Sequence, residues 1–251
     1  MQIILASAKI MNDKTEITPP LTSRPRFEEE AKQFALELGQ MKVDALAKVL
    51  HCSNAIALEN HQRYQRFFDE RATLPAVLAY HGQAYKYLKA EDFTDADFRF
   101  AQSHLLILSF LYGMLRPLDM IHPYRLEGKV KLEAAGGKNL FTYWKDKLTD
   151  LLIRRVQKDD GILLHLATEE FEHLFNWKRV VKEVHVIKPY FYVDKGNEYK
   201  IVSMYAKGCR GAMARYVIQN RIGDTEKLKG FSVDGFTFHS AEDGDNLVFT
   251  N

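Results

Sequence analysis

The sequence predicts a single domain of the mixed α/β class, in which helices flank one mixed sheet. Apolar runs at residues 2–6, 105–112 and 161–167 lack a polar face, as strands covered on both sides do. Between these runs, apolar residues recur at the spacing of an amphipathic helix. No repeat, linker or low-complexity tract divides the 251 residues, and this length is enough to bury one substantial core.

The remaining elements follow from the same patterns. Helical spacing predicts three short helices within residues 27–68 and further helices at residues 95–106, 139–156 and 212–221. Strands are predicted at residues 76–80, 180–193 and 198–207, with a turn at residues 194–197. Short strands alternate with turns in the last segment, residues 231–251.

Composition narrows the class of protein. The hydrophobic share of 46% is that of an ordinary globular domain, and the longest apolar runs fall short of the roughly 20 residues of a membrane span. The first residues lack the basic start and long apolar stretch of a signal peptide, so the cytoplasm is the expected location. Cys52 and Cys209 are too far apart in sequence for a C-x-x-C pair, which indicates neither a disulfide framework nor a thiolate zinc site.

The charge is unevenly distributed along the chain. The whole sequence carries +2, but residues 178–221 hold ten Lys and Arg against three acids, a local charge of +7 on a mildly acidic remainder. Such a block is typical either of a surface that binds a polyanion or of a solvated charged face. Both interpretations stay open from the sequence.

A central stretch delivers several polar side chains to one edge of the predicted core. After the apolar run, Arg116, Asp119, Tyr124 and Arg125 follow within a loop stiffened by prolines. Arg116 and Asp119 either contribute to a site or simply pair with each other to close the loop. Lys9, after the first strand, is a candidate ligand contact because strand ends carry ligand groups in α/β proteins.

Two glycines lie in the run from Lys207 to Gly211. If this run joins a strand to a helix, the glycines let backbone N–H groups approach a ligand, and the helix start adds positive charge. With Lys207, Arg210 and Arg215, the run is a candidate phosphate site, although it matches neither a Walker A loop nor a dinucleotide fingerprint. Cys209 between two cations is either a reactive thiolate or an inert turn residue.

Metal and nucleophile motifs are weak. Glu169 and His173 can share one helical face, but His165 falls on a predicted strand, so no metal site or other cofactor is predicted. Iron binding through Glu169 and His173 is kept as a third, minor hypothesis. No nucleophile motif is present, and the catalytic residues, if any, are unknown.

Several motifs follow one another along the whole chain. They are LSFLYGMLRPLD at residues 108–119, PYRLE at 123–127, WKD at 144–146, VIKP at 186–189, SMYAKGCRGAMARYVIQNR at 203–221 and LVF at 247–249. In this order they resemble the peroxide stress protein YaaA family. The resemblance implies a cytosolic protein of the oxidative stress response that helps to limit free iron and the DNA damage it causes.

The resemblance also implies DNA binding in a positively charged cleft that includes a helix-hairpin-helix element. The matching cleft positions are Lys9, Arg116, Arg125, Lys188, Lys207, Arg210 and Arg215. The hairpin is expected near residues 111–117, with Gly113 presenting its backbone to phosphate, and Tyr124 and Gly211 complete the set of expected phosphate contacts.

The chain departs from the family pattern in places that bear on chemistry. The family's first motif usually reads S-P-A-K-T or P-T-A-K-E, whereas residues 6–10 here read ASAKI, which keeps the lysine but loses neighbouring polar groups. Gln83 stands where an aspartate often occurs, and residues 166–171 read LATEEF where the family usually has N/L-A-S-x-E-Y. Phosphate binding by the arginines does not depend on these groups, whereas a reaction that needs them does.

Two hypotheses of function follow from the sequence. The first is binding of duplex or distorted DNA through backbone phosphates. The alternative is an enzyme that acts on a small phosphorylated or nucleotide-like ligand in the same cleft, with Lys9, Arg116, Asp119, Tyr124 and Lys207 as its lining. A long open basic groove favours DNA, and a concave, largely apolar site favours the small ligand. The sequence predicts neither an oligomeric state nor any membrane association.

Overall fold

The structure is a computed structural model and describes residues 1–196 and 198–251. The strands are β1 Gln2–Ala6, β2 Leu74–Pro75, β3 Leu105–Ser109, β4 Gly113–Leu115, β5 Met120–Ile121, β6 Ile162–Leu166, β7 His185–Asp194, β8 Tyr199–Lys200, β9 Ser232–Val233, β10 Phe236–Glu242 and β11 Asn246–Thr250. The helices are α1 Glu28–Gln40, α2 Val43–Val49, α3 Asn54–Gln65, α4 Ala76–Ala79, α5 Gln83–Leu88, α6 Asp95–His104, α7 Leu140–Lys158, α8 Trp177–Glu183 and α9 Ser203–Asn220.

One mixed sheet organises the described part of the chain, which confirms the predicted fold class. Its strand order is β4-β3-β1-β6-β7-β11-β10-β9, with β8 paired to β7. The five strands from β3 to β11 in this order run parallel, and β4 and β10 add antiparallel pairs at the two sides. Strand β3 is buried along its whole length, as its uninterrupted apolar sequence predicts.

The order of the central strands creates a crevice. The chain passes from β1 to β3 on one side and later returns to place β6 on the other side of β1. The connections therefore leave the carboxyl ends of these neighbouring strands in opposite directions. Open α/β sheets bind their ligands at such a topological switch point.

Helix α9 overturns one sequence prediction. The strand expected at residues 198–207 is only Tyr199–Lys200, and the chain is already helical from Ser203. The polar and apolar residues of 201–207 alternate like a strand, but the buried residues Ala206, Cys209, Met213 and Val217 follow a helical period. The glycine-containing phosphate loop is therefore wrong, because its residues lie inside a helix.

The glycines of α9 serve helix packing instead. A Cβ on Gly211 would lie 1.7 Å from the carbonyl oxygen of Ala84 in α5, and one on Gly208 would lie 3.1 Å from the ring of Tyr87. Glycine at both positions lets α5 and α9 approach closely. Gly211 is buried in this contact and does not present its backbone to a ligand.

The helix-hairpin-helix placement at residues 111–117 is also wrong. Gly113–Leu115 forms β4, which pairs antiparallel with β3 as a β-hairpin. Gly113 has a φ of +69°, which favours glycine, and a Cβ there would lie 2.8 Å from the ring of Trp144. This glycine is required by a tight turn beneath a buried tryptophan rather than by a phosphate.

Two further predictions need correction. Residues 76–79 form helix α4 rather than a strand, and Tyr80 caps its carboxyl end. Every one of them is buried, and periodicity alone does not separate a short buried strand from a buried helix. The strand predicted at 180–193 begins only at His185, because the residues before it form helix α8. The Asn176 side chain caps this helix by accepting from the backbone N–H of Arg179.

Most other elements are confirmed. Helices α1 to α3, α6 and α7 and the short strands β9 to β11 lie where the pattern predicts them. Of the turn predicted at residues 194–197, Asn197 lies outside the described residues. Across residues 1–196 and 198–251, no helix combines the length and the apolar character needed to cross a membrane.

Candidate functional site

The main cavity lies at the switch point of the sheet and has a volume of about 550 Å³. The carboxyl ends of β1 and β6 form its base, and the first turns of α5 and α9 form two of its walls. Its apolar lining includes Leu5, Ala6, Ala8, Ile10, Ala84, Phe110, Leu126, Leu166, Phe171 and Met204. Its polar lining includes Ser7, Lys9, Gln83, Tyr85, Tyr124, Arg125, Glu127, Thr168, Glu170, Ser203, Lys207 and Arg210.

One face of α9 supplies the cations at the cavity. Ser203, Lys207 and Arg210 are spaced by four and three residues, so they project from the same side of the helix. Within residues 1–196 and 198–251, neither Lys207 nor Arg210 has a carboxylate oxygen within 4.0 Å. Burial lowers the pKa of the Arg210 guanidinium, which nevertheless stays protonated at neutral pH.

Two further cations share one carboxylate at another wall. Lys9 Nζ lies 2.9 Å from Glu127 Oε1, and an Arg125 guanidinium nitrogen lies 3.3 Å from the same oxygen. The Arg125 backbone is held in place because the Tyr64 hydroxyl donates to its carbonyl oxygen at 2.6 Å. Arg125 Nε is buried and has no hydrogen-bond partner among the described residues.

Tyrosine hydroxyls form an ordered network beneath the cavity. The Tyr124 hydroxyl lies 2.8 Å from the Tyr80 hydroxyl and 2.6 Å from Ser109 Oγ. Ser109 Oγ in turn accepts from the backbone N–H of Tyr112 at 2.9 Å. Burial raises the pKa of Tyr124 and of Tyr80, so both phenols are neutral hydrogen-bonding groups at physiological pH.

A smaller cavity of about 320 Å³ adjoins the main one. Thr168, Glu170 and Arg210 line both, so Arg210 stands at their junction. The residues that line only the smaller cavity are His165, Ala167, Glu169, Glu172, Lys188, Pro189, Tyr190 and Ile201.

Comparison with known proteins identifies the family. The model of a family described as peroxide stress protein YaaA matches residues 1–242. The chain belongs to the peroxide stress protein YaaA family. The resemblance drawn from the sequence motifs is thereby confirmed, and membership supports a role in the peroxide stress response.

Curated relatives align over the whole chain. A UPF0246 protein of Bacteroides thetaiotaomicron is 46% identical over 100% of this chain and 98% of the relative. A UPF0246 protein of Phocaeicola vulgatus is 45% identical over 98% of this chain and 96% of its own length. A third, from Saccharophagus degradans, is 38% identical over 100% of this chain and 99% of its own length. These names state a family and no activity.

Half of the expected contact residues of this YaaA-family chain meet at the main cavity. They are Lys9, Tyr124, Arg125, Lys207 and Arg210. Lys188 lies in the smaller cavity, where its Nζ lies 2.7 Å from Glu172 Oε1 and 5.2 Å from the centre of the Trp177 ring. Gly113 and Gly211 are buried in packing contacts.

Arg116 and Asp119 do not belong to the cavity. Strand β4 runs antiparallel to β3, so the residues after β4 lie at the opposite edge of the sheet from the carboxyl ends of β1 and β6. Asp119 is 1% exposed and accepts hydrogen bonds from the Arg116 backbone N–H at 2.8 Å and from its guanidinium at 2.9 Å. The interpretation that these two residues pair to close the loop is confirmed.

Arg215 also has a structural contact rather than a position in the cavity. Its guanidinium donates to the carbonyl oxygens of Leu88 at 3.2 Å and Lys89 at 2.7 Å, and it lies 3.6 Å from Asp92. These carbonyls end helix α5, so Arg215 caps that helix. The sequence placed Arg215 in the site because it lies near Arg210. Residues five apart on a helix, however, point in different directions.

The positive charge of the basic block is partly neutralised by carboxylates. Half of its ten cations pair with carboxylates: Arg179 with Asp150 and Glu183, Lys188 with Glu172, Lys200 with Glu198, Arg215 with Asp92 and Arg221 with Asp97. Four of these acids, Asp92, Asp97, Asp150 and Glu172, lie outside the block. The local charge of +7 therefore overstates what a polyanion would meet.

Metal ligation through Glu169 and His173 finds no support in the geometry. Glu169 lines the smaller cavity, whereas the His173 ring packs against Phe141 at 5.6 Å between ring centres. In the described part of the chain, no group of three or more His, Cys, Asp and Glu side chains is arranged to hold a metal.

Sequence reasoning missed several residues of the site. Glu127 lies within the PYRLE motif, and the sequence indicates no role for it, although its carboxylate pairs with both Lys9 and Arg125. Tyr80 and Ser109 gave no signal, because a hydroxyl inside an apolar run does not indicate which neighbour it will meet. Thr168 lies just after β6 and lines the cavity. The rule that pointed to Lys9 after β1, that ligand groups lie at the ends of buried strands, also applies to Thr168.

Proposed function

We propose that this YaaA-family protein acts in the peroxide stress response by binding a small phosphorylated, nucleotide-like ligand in the main cavity. The observation that carries the proposal is a concave, largely apolar cavity of about 550 Å³ on which Lys207 and Arg210 converge, with no carboxylate oxygen of the described residues within 4.0 Å of either cation. Ligand sites have this size and this mixture of apolar lining and few convergent polar groups. The expected location is the cytoplasm.

The anionic part of the ligand has several donors to meet. Lys207 and Arg210 provide charge, and Ser203 starts a long helix whose amino end carries partial positive charge. Arg125 lines another wall of the same cavity and adds a further positive charge there.

The apolar part of the ligand has a matching surface. Phe110, Leu126 and Phe171 lie within the cavity, and Ile10 and Met204 line it while being 64% and 56% exposed. Covering exposed apolar side chains is favourable by about 25 cal/mol per Å² of buried surface. A flat ring, such as a nucleobase, would remove this surface from water.

We predict that the double substitution Lys207→Gln and Arg210→Gln weakens nucleotide binding about tenfold or more, because charged hydrogen bonds contribute about 1.5–3 kcal/mol. A panel of nucleotides and sugar phosphates, screened by thermal shift and quantified by calorimetry, provides the measurement. Lys178→Gln is the matched control, since it removes one charge from the same basic block outside both cavities. No shift with any phosphorylated compound would contradict the proposal.

DNA binding through backbone phosphates is the second proposal, with protection against iron-driven damage as its expected consequence. It is favoured by the exposed position of Lys207 and by Lys9 on the same cavity. Arg116, Lys188 and Arg215 are engaged elsewhere, so the geometry supports it less. The same variants separate the two proposals: sequence-independent, salt-sensitive gel shifts that need Lys207 and Arg210, together with no nucleotide binding, would favour DNA.

A further inference from the structure

Three hydroxyl groups meet under the floor of the main cavity. The Tyr124 hydroxyl lies 2.8 Å from that of Tyr80 and 2.6 Å from Ser109 Oγ. Tyr80 is 1% exposed and Ser109 is 0% exposed, so neither hydroxyl donates to solvent. Of these three residues, only Tyr124 lines the cavity. The direction in which each group donates its proton therefore decides what the floor presents to a ligand.

The available acceptors fix that direction. Each hydroxyl has one proton to donate, and Ser109 Oγ also accepts from the backbone N–H of Tyr112 at 2.9 Å. Across residues 1–196 and 198–251, the Tyr124 oxygen is the one acceptor in hydrogen-bond geometry for the proton of Tyr80 or of Ser109. Because buried donors rarely go without an acceptor, both groups donate to Tyr124. Tyr124 keeps a proton that neither of them accepts.

The pKa directions agree with this assignment. Burial raises the pKa of both phenols, and their mutual hydrogen bond raises that of Tyr80 further while it opposes the shift of Tyr124. This difference is the one expected when Tyr80 donates and Tyr124 accepts. The Ser7 hydroxyl opposes the shift of Tyr124 too, and Ser7 lines the cavity. The side of the Tyr124 hydroxyl that is left open therefore faces the cavity.

The surroundings of Tyr124 suit a flat, neutral ring. Phe110 and Phe171 line the cavity with their rings stacked at 4.8 Å between centres, and Leu126 adds apolar surface beside them. The cations Lys207 and Arg210 come from a separate element, α9. A neutral donor in such a setting distinguishes a ring carbonyl, which accepts its proton, from a ring amino group, which presents protons of its own.

We propose that Tyr124 donates to a ring carbonyl of the ligand, so that the ligand class is a nucleotide with an oxo-substituted base. Lys207 and Arg210 hold the phosphate of this nucleotide, and the apolar lining covers its base. The inference rests on the proposed function, because the phosphate anchors the base over the floor. It adds a choice between bases that phosphate binding alone does not impose.

Two pairs of nucleotides that differ in one ring substituent provide the test. Inosine monophosphate carries a carbonyl where adenosine monophosphate carries an amino group, and uridine monophosphate differs from cytidine monophosphate in the same way. In calorimetric titrations, we expect the oxo nucleotide of a pair to bind about tenfold more tightly, because the amino partner leaves the donor unpaired. Tyr124→Phe should remove this preference by weakening the binding of the oxo nucleotide alone.

Tyr112→Phe is the matched control. The Tyr112 hydroxyl accepts from the backbone N–H of His122 at 3.1 Å, and the residue is buried like Tyr124 but lies outside the cavity. This variant should lose stability and keep the preference. If Tyr124→Phe does not fold, the comparison in the wild-type protein decides alone.

Three results would overturn the donor role of Tyr124 while the phosphate site stands. They are equal affinity within each pair, tighter binding of the amino nucleotide, and a preference retained in folded Tyr124→Phe. If no nucleotide or sugar phosphate binds the wild-type protein, the proposed function fails together with this inference.

Discussion

The thiol of Cys209 is buried in helix α9, and burial raises its pKa to about 12. At neutral pH such a thiol is almost wholly protonated, and the thiolate is the form that reacts with peroxides and alkylating reagents. Lys207 and Arg210, its neighbours in sequence, line the cavity from another face of the helix. The hypothesis of a reactive thiolate at Cys209 is therefore wrong, because the thiol is both buried and protonated.

We predict that Cys209 resists iodoacetamide in the folded protein at pH 7.5. Cys52 is only half-buried and should be modified first. In a Cys52→Ser variant, mass spectrometry should detect modification only after denaturant is added. Because the folded-state pKa of Cys209 is raised, its protonated form favours folding, and stability is lost as pH rises from the ordinary value near 9.0 toward 12. Rapid labelling of native Cys209 would contradict its burial.

At the scale of the element, different faces of helix α9 line the cavity, pack in the core and contact α5. Ser203, Lys207 and Arg210 line the cavity, while Cys209 and Met213 face the core. Gly208 and Gly211 contact α5, whose first turn forms another cavity wall. The close approach of the two helices thus sets the width of the site, because a larger side chain at Gly211 would move one wall from the other.

Gly211→Ala tests the packing role against the usual effect of this substitution. In a helix interior, alanine is favoured over glycine by about 1 kcal/mol, so an uncrowded site would gain stability. A Cβ 1.7 Å from the Ala84 carbonyl oxygen forces the helices apart, and we expect a loss of about 3 kcal/mol in the free energy of unfolding in urea. Gly223→Ala, where nothing lies within 4 Å, should change stability little. A Gly211→Ala protein of unchanged or increased stability would refute the role.

At the scale of the whole molecule, the two edges of the sheet have different tasks. The carboxyl ends of β1 and β6 open into the two cavities. At the other edge, buried Asp119 joins Arg116 and Ser23, whose hydroxyl donates to it at 2.6 Å. Cations that look equivalent in sequence therefore line the cavities at one edge and close loops at the other.

Arg116→Gln and Arg210→Gln should separate these tasks. Arg116→Gln leaves a buried carboxylate short of its main partner, and we expect a loss of about 1–3 kcal/mol of stability with ligand affinity unchanged. Arg210→Gln removes an unpartnered cation and should weaken ligand binding with little loss of stability. Thermal melts and calorimetry on the same preparations measure both quantities. Reduced ligand affinity in folded Arg116→Gln would place this residue in the site after all.

The candidate site was predicted in part, and for reasons that differ by residue. Lys9 was found from a general rule on strand ends, which the parallel strand β1 obeys. Lys207 and Arg210 were predicted as site residues although the secondary structure predicted around them was wrong. Their charge and their position in the sequence do not depend on secondary structure. Gly113 and Gly211 were misassigned because a glycine that permits close packing and one that permits ligand approach look alike in sequence.

By itself, the sequence determined the fold class, the buried strands, most helices and the family. These features follow from local periodicity, from burial and from motif order, all of which can be seen along the chain. Only the tertiary structure decided which charged side chains meet. That depends on the order and direction of strands distant in sequence, which place Lys207 and Arg210 on a cavity at the carboxyl edge and Arg116 on Asp119 at the other.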